Sequence, residues 1–437
     1  MRFEILPDLA SLGGYLPRFL TLVGEGRWVK RAEQLDVEQQ KSPFRWKIVA
    51  DYHWLEMAIS YQNDVLSKEG HLLAELVDNL ILAALTFAAM VVEVHTRLSE
   101  KGQRELKGRL IDGLKAESGF AALYLEFDIA RQLMLNGFDV GFPDMEGRAQ
   151  FDLEYGRGEF KGEVECKSLS ADAGRQIHRK DFYRFMEAIY PMLAGHVEAL
   201  RKEVLIITLR GRLTPNTSDQ SGLRNAIANM LSIGAPTTIT QPKFQVERRS
   251  YAECLASAPT QDPKAFYAVC KEAFGPHAHV AGGMTEDGGC LVVMRSERED
   301  DTSKPLLEAM RKAMTQFSGA RPSFIAVQFQ DIEAADLMLV HLRRRVGILS
   351  YALFCHYCAE HVNATYFCGF SSVLVRDGEI GTPAFAVPNP KPKYAVSGTD
   401  AAPFLLHIPD PDYAAIIGAP LPAPNISYIP FGGVDGV

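Results

Sequence analysis

Cysteine is scarce in this chain, at seven in 437 residues, far from the density of an extracellular disulfide scaffold. Long apolar runs are lacking as well. The nearest, LILAALTFAAMVV at 80–92, is thirteen residues long, short of the roughly eighteen that suggest a membrane span, and it reads as a buried helix. The opening MRFEILPDLASLGG does not show a charged segment and an apolar segment in the order of a secretory leader. These absences favour a reducing cytoplasm and no membrane partner. An excess of positive charge is missing too: 46 Lys and Arg stand against 54 Asp and Glu, a formal charge of −8. That argues against a broadly cationic surface, while local basic clusters or metal ions can still neutralise phosphates. The glycine pairs near 281–289 lack the GxxxxGK[ST] layout, so a P-loop is excluded there.

What is present is a chain with 47% apolar and 23% charged residues, long enough for two or three domains. From Trp46 to about Ser99 the pattern is helical, which predicts a mostly helical domain over 1–110, with the charge-rich 99–109 as an exposed helix or a hinge. Ser118 is placed to cap a helix through GFAALYLEFDIARQLMLN, and Gly137 stands where a left-handed C-terminal residue is wanted. GFDVGF, AQFDLEY and EFKGEVECKSL read as three strands, with GRG at 156–158 as a tight turn. Phe182, Phe185 or Met186, Ile189 and Leu193 then recur at helical spacing, and EVLIITLRG at 203–211 is a strong strand. The expected fold class is α/β, a layered αβββαβ core over 111–215 with a central mixed sheet, a helical N-terminal region and an α+β C-terminal region over 216–437 that could extend the core sheet.

The chemistry concentrates in FDLEYGRGEFKGEVECKSLS, 151–170. Side chains two apart on a strand share a face. That groups Glu163, Glu165 and Lys167 on one strand and Asp152 with Glu154 on the other. A hairpin between them brings Asp152 near Glu165, and closely spaced carboxylates repel unless a divalent cation compensates. Hard oxygen ligands suit Mg²⁺ or Mn²⁺. Lys167 beside them could orient a water or stabilise developing negative charge on a phosphoryl group. The alternative is a solvated acidic face.

This pattern resembles the PD-(D/E)xK nuclease superfamily, the restriction-endonuclease-like proteins, over roughly 115–211. Glu165-Cys166-Lys167 stands as the E-x-K element, Asp152 lies thirteen residues upstream as the aspartate, and Glu126, eleven before Gly137, takes the place of the helix glutamate. The resemblance implies the αβββαβ order and metal held by Asp152, Glu165, Glu126 and the backbone carbonyl of Cys166. It also implies a glutamine or basic residue in the following helix, for which Gln176 ranks ahead of Arg175, His178 and Arg179. The implied activity is a Mg²⁺- or Mn²⁺-dependent hydrolase of phosphodiester bonds, a DNA endonuclease of the kind found in bacterial restriction or antiviral defence. It would work as a homo-oligomer or with a partner protein. The alternatives are an RNA-cleaving nuclease and a non-catalytic nucleic-acid-binding or assembly module on the same fold.

RQIHRKDFYR places Arg175, His178, Arg179, Lys180 and Arg184 directly after the third strand. Residues four apart on a helix share a face, so these could line a nucleic-acid backbone; a solvated amphipathic helix is the plain alternative. Cys355, Cys358 and His361 in CHYCAEH have a metal-like spacing without an evident fourth ligand, and read as ordinary buried cysteines of a core helix.

Overall fold

A computed structural model describes the chain except residues 6–8, 171, 197–199, 201, 217–219, 233–235, 256–262, 276, 286–287, 302, 331–339, 370–372, 375–379, 383, 398–399, 401–428 and 432–437. The helical first third runs α1 (Leu9–Val23), α2 (Glu25–Lys41), α3 (Pro43–Tyr52), α4 (Trp54–Glu69), α5 (Asn79–Arg97), α6 (Glu100–Gly113) and α7 (Ala121–Leu135). Next come β1 (Asp139–Gly141), β2 (Leu153–Arg157), β3 (Phe160–Leu169), α8 (Arg179–Ala194), β4 (Glu203–Leu209), α9 (Ser221–Met230), β5 (Thr238–Gln241), β6 (Phe244–Ser250), α10 (Tyr251–Leu255), α11 (Pro263–Phe274), β7 (His279–Thr285) and β8 (Gly288–Ser296). The last third holds α12 (Ser303–Met314), β9 (Ser323–Phe329), α13 (Val340–His356), β10 (Val362–Cys368), β11 (Val373–Leu374), β12 (Ile380–Thr382), β13 (Ala384–Pro388) and β14 (Ile429–Phe431). The molecule is thus a mixed α/β protein, as its alternating patterns indicated.

Two compact units divide the chain. One comprises Met1–Val37, Val49–Ala171 and Ser303–Val437, the other Glu38–Ile48 and Asp172–Thr302. The division does not follow the expected boundaries. α8 and β4, which the sequence suggested would complete the sheet of the acidic hairpin, belong to the second unit. The sheet of the first unit has the order β1-β2-β3-β9-β10-β13, so the strand beside β3 is β9, reached through α12. β3 and β9 run parallel with Glu165 opposite Ile325, and β9 and β10 are also parallel. Every residue of β9 and β10 is buried, as expected for central parallel strands covered on both faces. Of the helical residues 1–110, most fall in this same unit, and 216–437 is split between the two.

Both faces of the first sheet are covered. Val164, Phe324, Ala326, Ala364 and Tyr366 join the core of α1, α5 and α7. Ile325, Val327, Phe367 and Phe385 pack with Leu306 and Met310 of α12 and with Val346 and Leu353 of α13. At the centre of the helical side Phe87 meets Phe19, Phe120, Tyr124 and Phe127, with ring centroids 5.8–6.1 Å apart. α5, which carries Phe87, is long and apolar enough by length and composition to cross a membrane, yet 56% of its apolar window is buried against this core. It is the core helix of the unit. The charge-rich segment after it is helical rather than a hinge: Ser99 caps α6 by accepting from the Gly102 N–H at 3.2 Å, and Leu106 and Leu110 are buried.

α7 ends as its sequence indicated. Gly137 is left-handed at φ 84°, and the Phe138 N–H reaches back to the Leu133 carbonyl at 3.1 Å. Its start differs. The helix begins at Ala121, and Ser118 contributes a backbone carbonyl rather than a side-chain cap. The hairpin turn is also displaced from the expected 156–158. β2 and β3 pair out to Arg157–Phe160, leaving Gly158-Glu159 as a two-residue turn. Gly158 has φ 62° and Glu159 does not have a positive φ, the signature of a type II′ turn.

In the second unit the order is β5-β6-β4-β8-β7, with β4 and β8 parallel. The helical spacing noted in the sequence is real: Phe182, Phe185, Met186, Ile189 and Leu193 of α8 are all buried, against Leu205, Ile207 and Leu209 of β4 among others.

Candidate metal centre

β2 begins at Leu153, one residue after Asp152, so the ladder between β2 and β3 stops at the pair Leu153–Val164. Beyond that point side chains replace the missing backbone partners. The Cys166 N–H donates to Asp152 Oδ2 at 2.7 Å, and the Asp152 N–H donates to Glu165 Oε2 at 3.2 Å. The two acids are therefore locked to each other's strand by charge-assisted hydrogen bonds. The N–H and C=O of one strand residue leave by the same edge, which turns the Cys166 carbonyl toward the Asp152 side as well.

Glu126 on α7 and Asp144, in the turn after β1, complete a cluster. One carboxylate oxygen from each of Glu126, Asp144 and Asp152 lies within 4.8 Å of the other two. Two of these three were expected from the sequence. Asp144 was missed, although the Pro143-Asp144 pair in FPDMEG was the available signal. Glu165 is not in that group: its carboxylate is turned to the Asp152 N–H and to Lys167, so the structure places it beside the cluster rather than within it.

Lys167 Nζ contacts Glu165 Oε1 and donates to Gln316 Oε1 at 2.9 Å. Gln316 in turn donates to the Gln150 carbonyl at 3.1 Å. The Lys167 side chain is only 18% exposed. The neighbouring acids Glu163 and Glu154 are committed elsewhere. Glu163, fully buried, accepts from the N–H and hydroxyl of Ser318, and Glu154 pairs with Arg321.

The electrostatics follow from burial. Desolvation raises Glu126 well above the usual carboxylate range; Asp152 pushes it further, and Arg109 opposes. Burial and then the charge of Glu165 raise Asp152 in the same way, against the Cys166 N–H. Asp144 is raised by burial against Arg109, and Glu165 by burial against Lys167. At an effective dielectric of about 20, two carboxylates roughly 4.8 Å apart repel by on the order of 3 kcal/mol. A set of hard, buried oxygens strained in this way fits a divalent cation such as Mg²⁺ or Mn²⁺. It does not fit a softer thiophilic metal, because the clustered donors are carboxylate oxygens and the Cys166 thiol beside them is pushed well up by burial.

The other expected site residues lie in the second unit. The Gln176 N–H donates to Asp300 at 2.7 Å and its side chain donates to the Glu299 carbonyl at 3.3 Å. In the sheet that holds the acids, the next helix after β3 is α12, and Gln316, just past its end, is the glutamine that touches Lys167. Arg175, His178, Arg179, Lys180 and Arg184 do gather at the start of α8. Asp181 lies 3.7 Å from His178 and 3.8 Å from Arg184, so the stripe is partly neutralised. Cys355 and Cys358 are exposed rather than buried: α13 ends at His356, and Cys358 takes a left-handed turn at φ 54°. His361 is bonded to the Met314 carbonyl at 3.2 Å.

No family model matches the chain, and no curated protein or solved structure matches it.

Proposed function

We propose that this protein is a divalent-metal-dependent nuclease of the PD-(D/E)xK type, with DNA as its first candidate substrate. The observation that carries the reading is the meeting of Glu126, Asp144 and Asp152 within 4.8 Å, with Lys167 held alongside by Glu165 and Gln316. The order α7-β1-β2-β3, then α12-β9, with residues 172–302 of the second unit between β3 and α12, supports the reading, since it can be taken as an αβββαβ succession.

Glu126, Asp144 and Asp152 would hold Mg²⁺ or Mn²⁺, with the Cys166 carbonyl turned to the same side. When bound there, the ion would supply an activated water and neutralise charge on the phosphoryl oxygens. The chain's own groups do the positioning. The Cys166 N–H fixes the rotamer of Asp152. Glu165 and Gln316 aim the Lys167 ammonium, which can donate to a phosphoryl oxygen as negative charge develops. Low exposure of the acids keeps these interactions in a poorly screened setting. A single such centre per chain cuts one strand, so double-strand cleavage calls for a second copy or a partner protein. The cysteines among the described residues are free, in keeping with a reducing cytoplasm.

The test is cleavage of supercoiled plasmid and of single-stranded DNA and RNA by the purified chain, with Mg²⁺ or Mn²⁺ and with EDTA. Nicking that appears with the ion, vanishes with EDTA and is lost in Asp152→Asn is the expected result. An Asp152→Asn protein that cuts like wild type would remove the reading, and preference for RNA would reassign the substrate.

A further inference from the structure

Arg109 stands among the same acids. From α6 its Nη1 lies 3.3 Å from Glu126 Oε2 and its Nη2 contacts Asp144 Oδ2. Its Nε donates to Glu105 Oε1, one turn earlier, at 3.2 Å. Glu126 and Asp144 are two of the three carboxylates of the candidate metal cluster. The guanidinium fork therefore draws on one oxygen of each of two carboxylates that a divalent ion would also draw on. Two cations drawing on one pair of carboxylates repel, so an ion that coordinates them competes with the fork for their charge.

We infer that Arg109 is a placeholder cation: it pairs Glu126 and Asp144 when the metal is absent and withdraws when a divalent ion enters, so that metal affinity is set from α6. The inference rests on the proposed metal centre. Two features make the exchange a side-chain motion rather than a helix displacement. Ser99, at the start of α6, donates its N–H to Glu146 Oε1 at 2.9 Å and its hydroxyl to Oε2 of the same residue, which ties the helix to the turn that carries Asp144. Glu105, half exposed, already holds Arg109 by its Nε and remains a partner after the fork lets go.

Calorimetric titration of the full chain with Mn²⁺, without nucleic acid, separates the possibilities. Arg109→Gln is expected to bind Mn²⁺ at least tenfold more tightly than wild type, because the competing charge is gone. Arg109→Lys, which keeps the charge but cannot span both acids, is expected to fall between them. Affinity equal to or weaker than wild type in both variants overturns the placeholder while leaving the metal centre standing. If Arg109→Gln does not fold, Arg109→Lys decides alone by the same comparison. Binding by neither wild type nor variants overturns the metal centre and the placeholder with it, whereas binding only by the variants supports both.

Discussion

Replacing Lys167 by alanine is expected to slow metal-dependent phosphodiester cleavage by about 10²–10³-fold, the usual loss when one preorganised donor to a developing oxyanion is removed. The ammonium is held between Glu165 and Gln316, so its aim is fixed before substrate arrives. The substitution also has a structural cost. Glu165 is almost completely buried, and removing Lys167 leaves its carboxylate with the Asp152 N–H as its remaining partner among the described residues. Uptake of a proton by Glu165 relieves part of this, and a loss of about 1–3 kcal/mol is the scale for one unpartnered buried group. Single-turnover cleavage rates and a thermal melt separate the two effects. A folded Lys167→Ala protein that cuts at wild-type speed would remove Lys167 from the reaction.

Phe324→Ala is the largest expected stability effect, about 3–5 kcal/mol for a fully buried aromatic. Phe324 has no exposed surface, lies opposite Val164 across the β3–β9 pairing, and has its ring centroid 6.1 Å from that of Tyr155. It tests whether the strand beside the acidic hairpin is β9. Trp28 and Trp54 lie in the same unit, and the third tryptophan, Trp46, is exposed in the other. Urea unfolding followed by tryptophan fluorescence therefore reports mainly on the unit in question. The denaturation midpoint should fall sharply in this variant. A shift worth less than about 1 kcal/mol would mean that Phe324 is not packed in that core.

Local chemistry was legible in the sequence where neighbours along the chain decide it. Alternation over 151–167 paired Asp152 with Glu165, the glycine at 137 ended α7, and Glu126 fell at the right depth in that helix. What was not legible depends on contacts distant in sequence. β4 is as apolar as β9, and nothing in either strand says which one joins β3. The part of the second unit that follows residue 171 therefore passed for the completion of the first. The same misplacement took the helix that follows Gln176 for the helix after β3 in this sheet and hid Gln316, which lies 149 residues beyond Lys167. Asp144 sits in an irregular turn without periodicity to mark its direction. Arg109 belongs to a segment whose charges looked like those of any solvated helix.

The most direct test of the metal centre is anomalous diffraction from crystals grown with Mn²⁺. One strong peak within about 2–2.5 Å of oxygens from Glu126, Asp144 and Asp152 is the expected result. A well-ordered Mn²⁺ bound elsewhere, with those three carboxylates still paired to Arg109 and to the Cys166 amide, would contradict it.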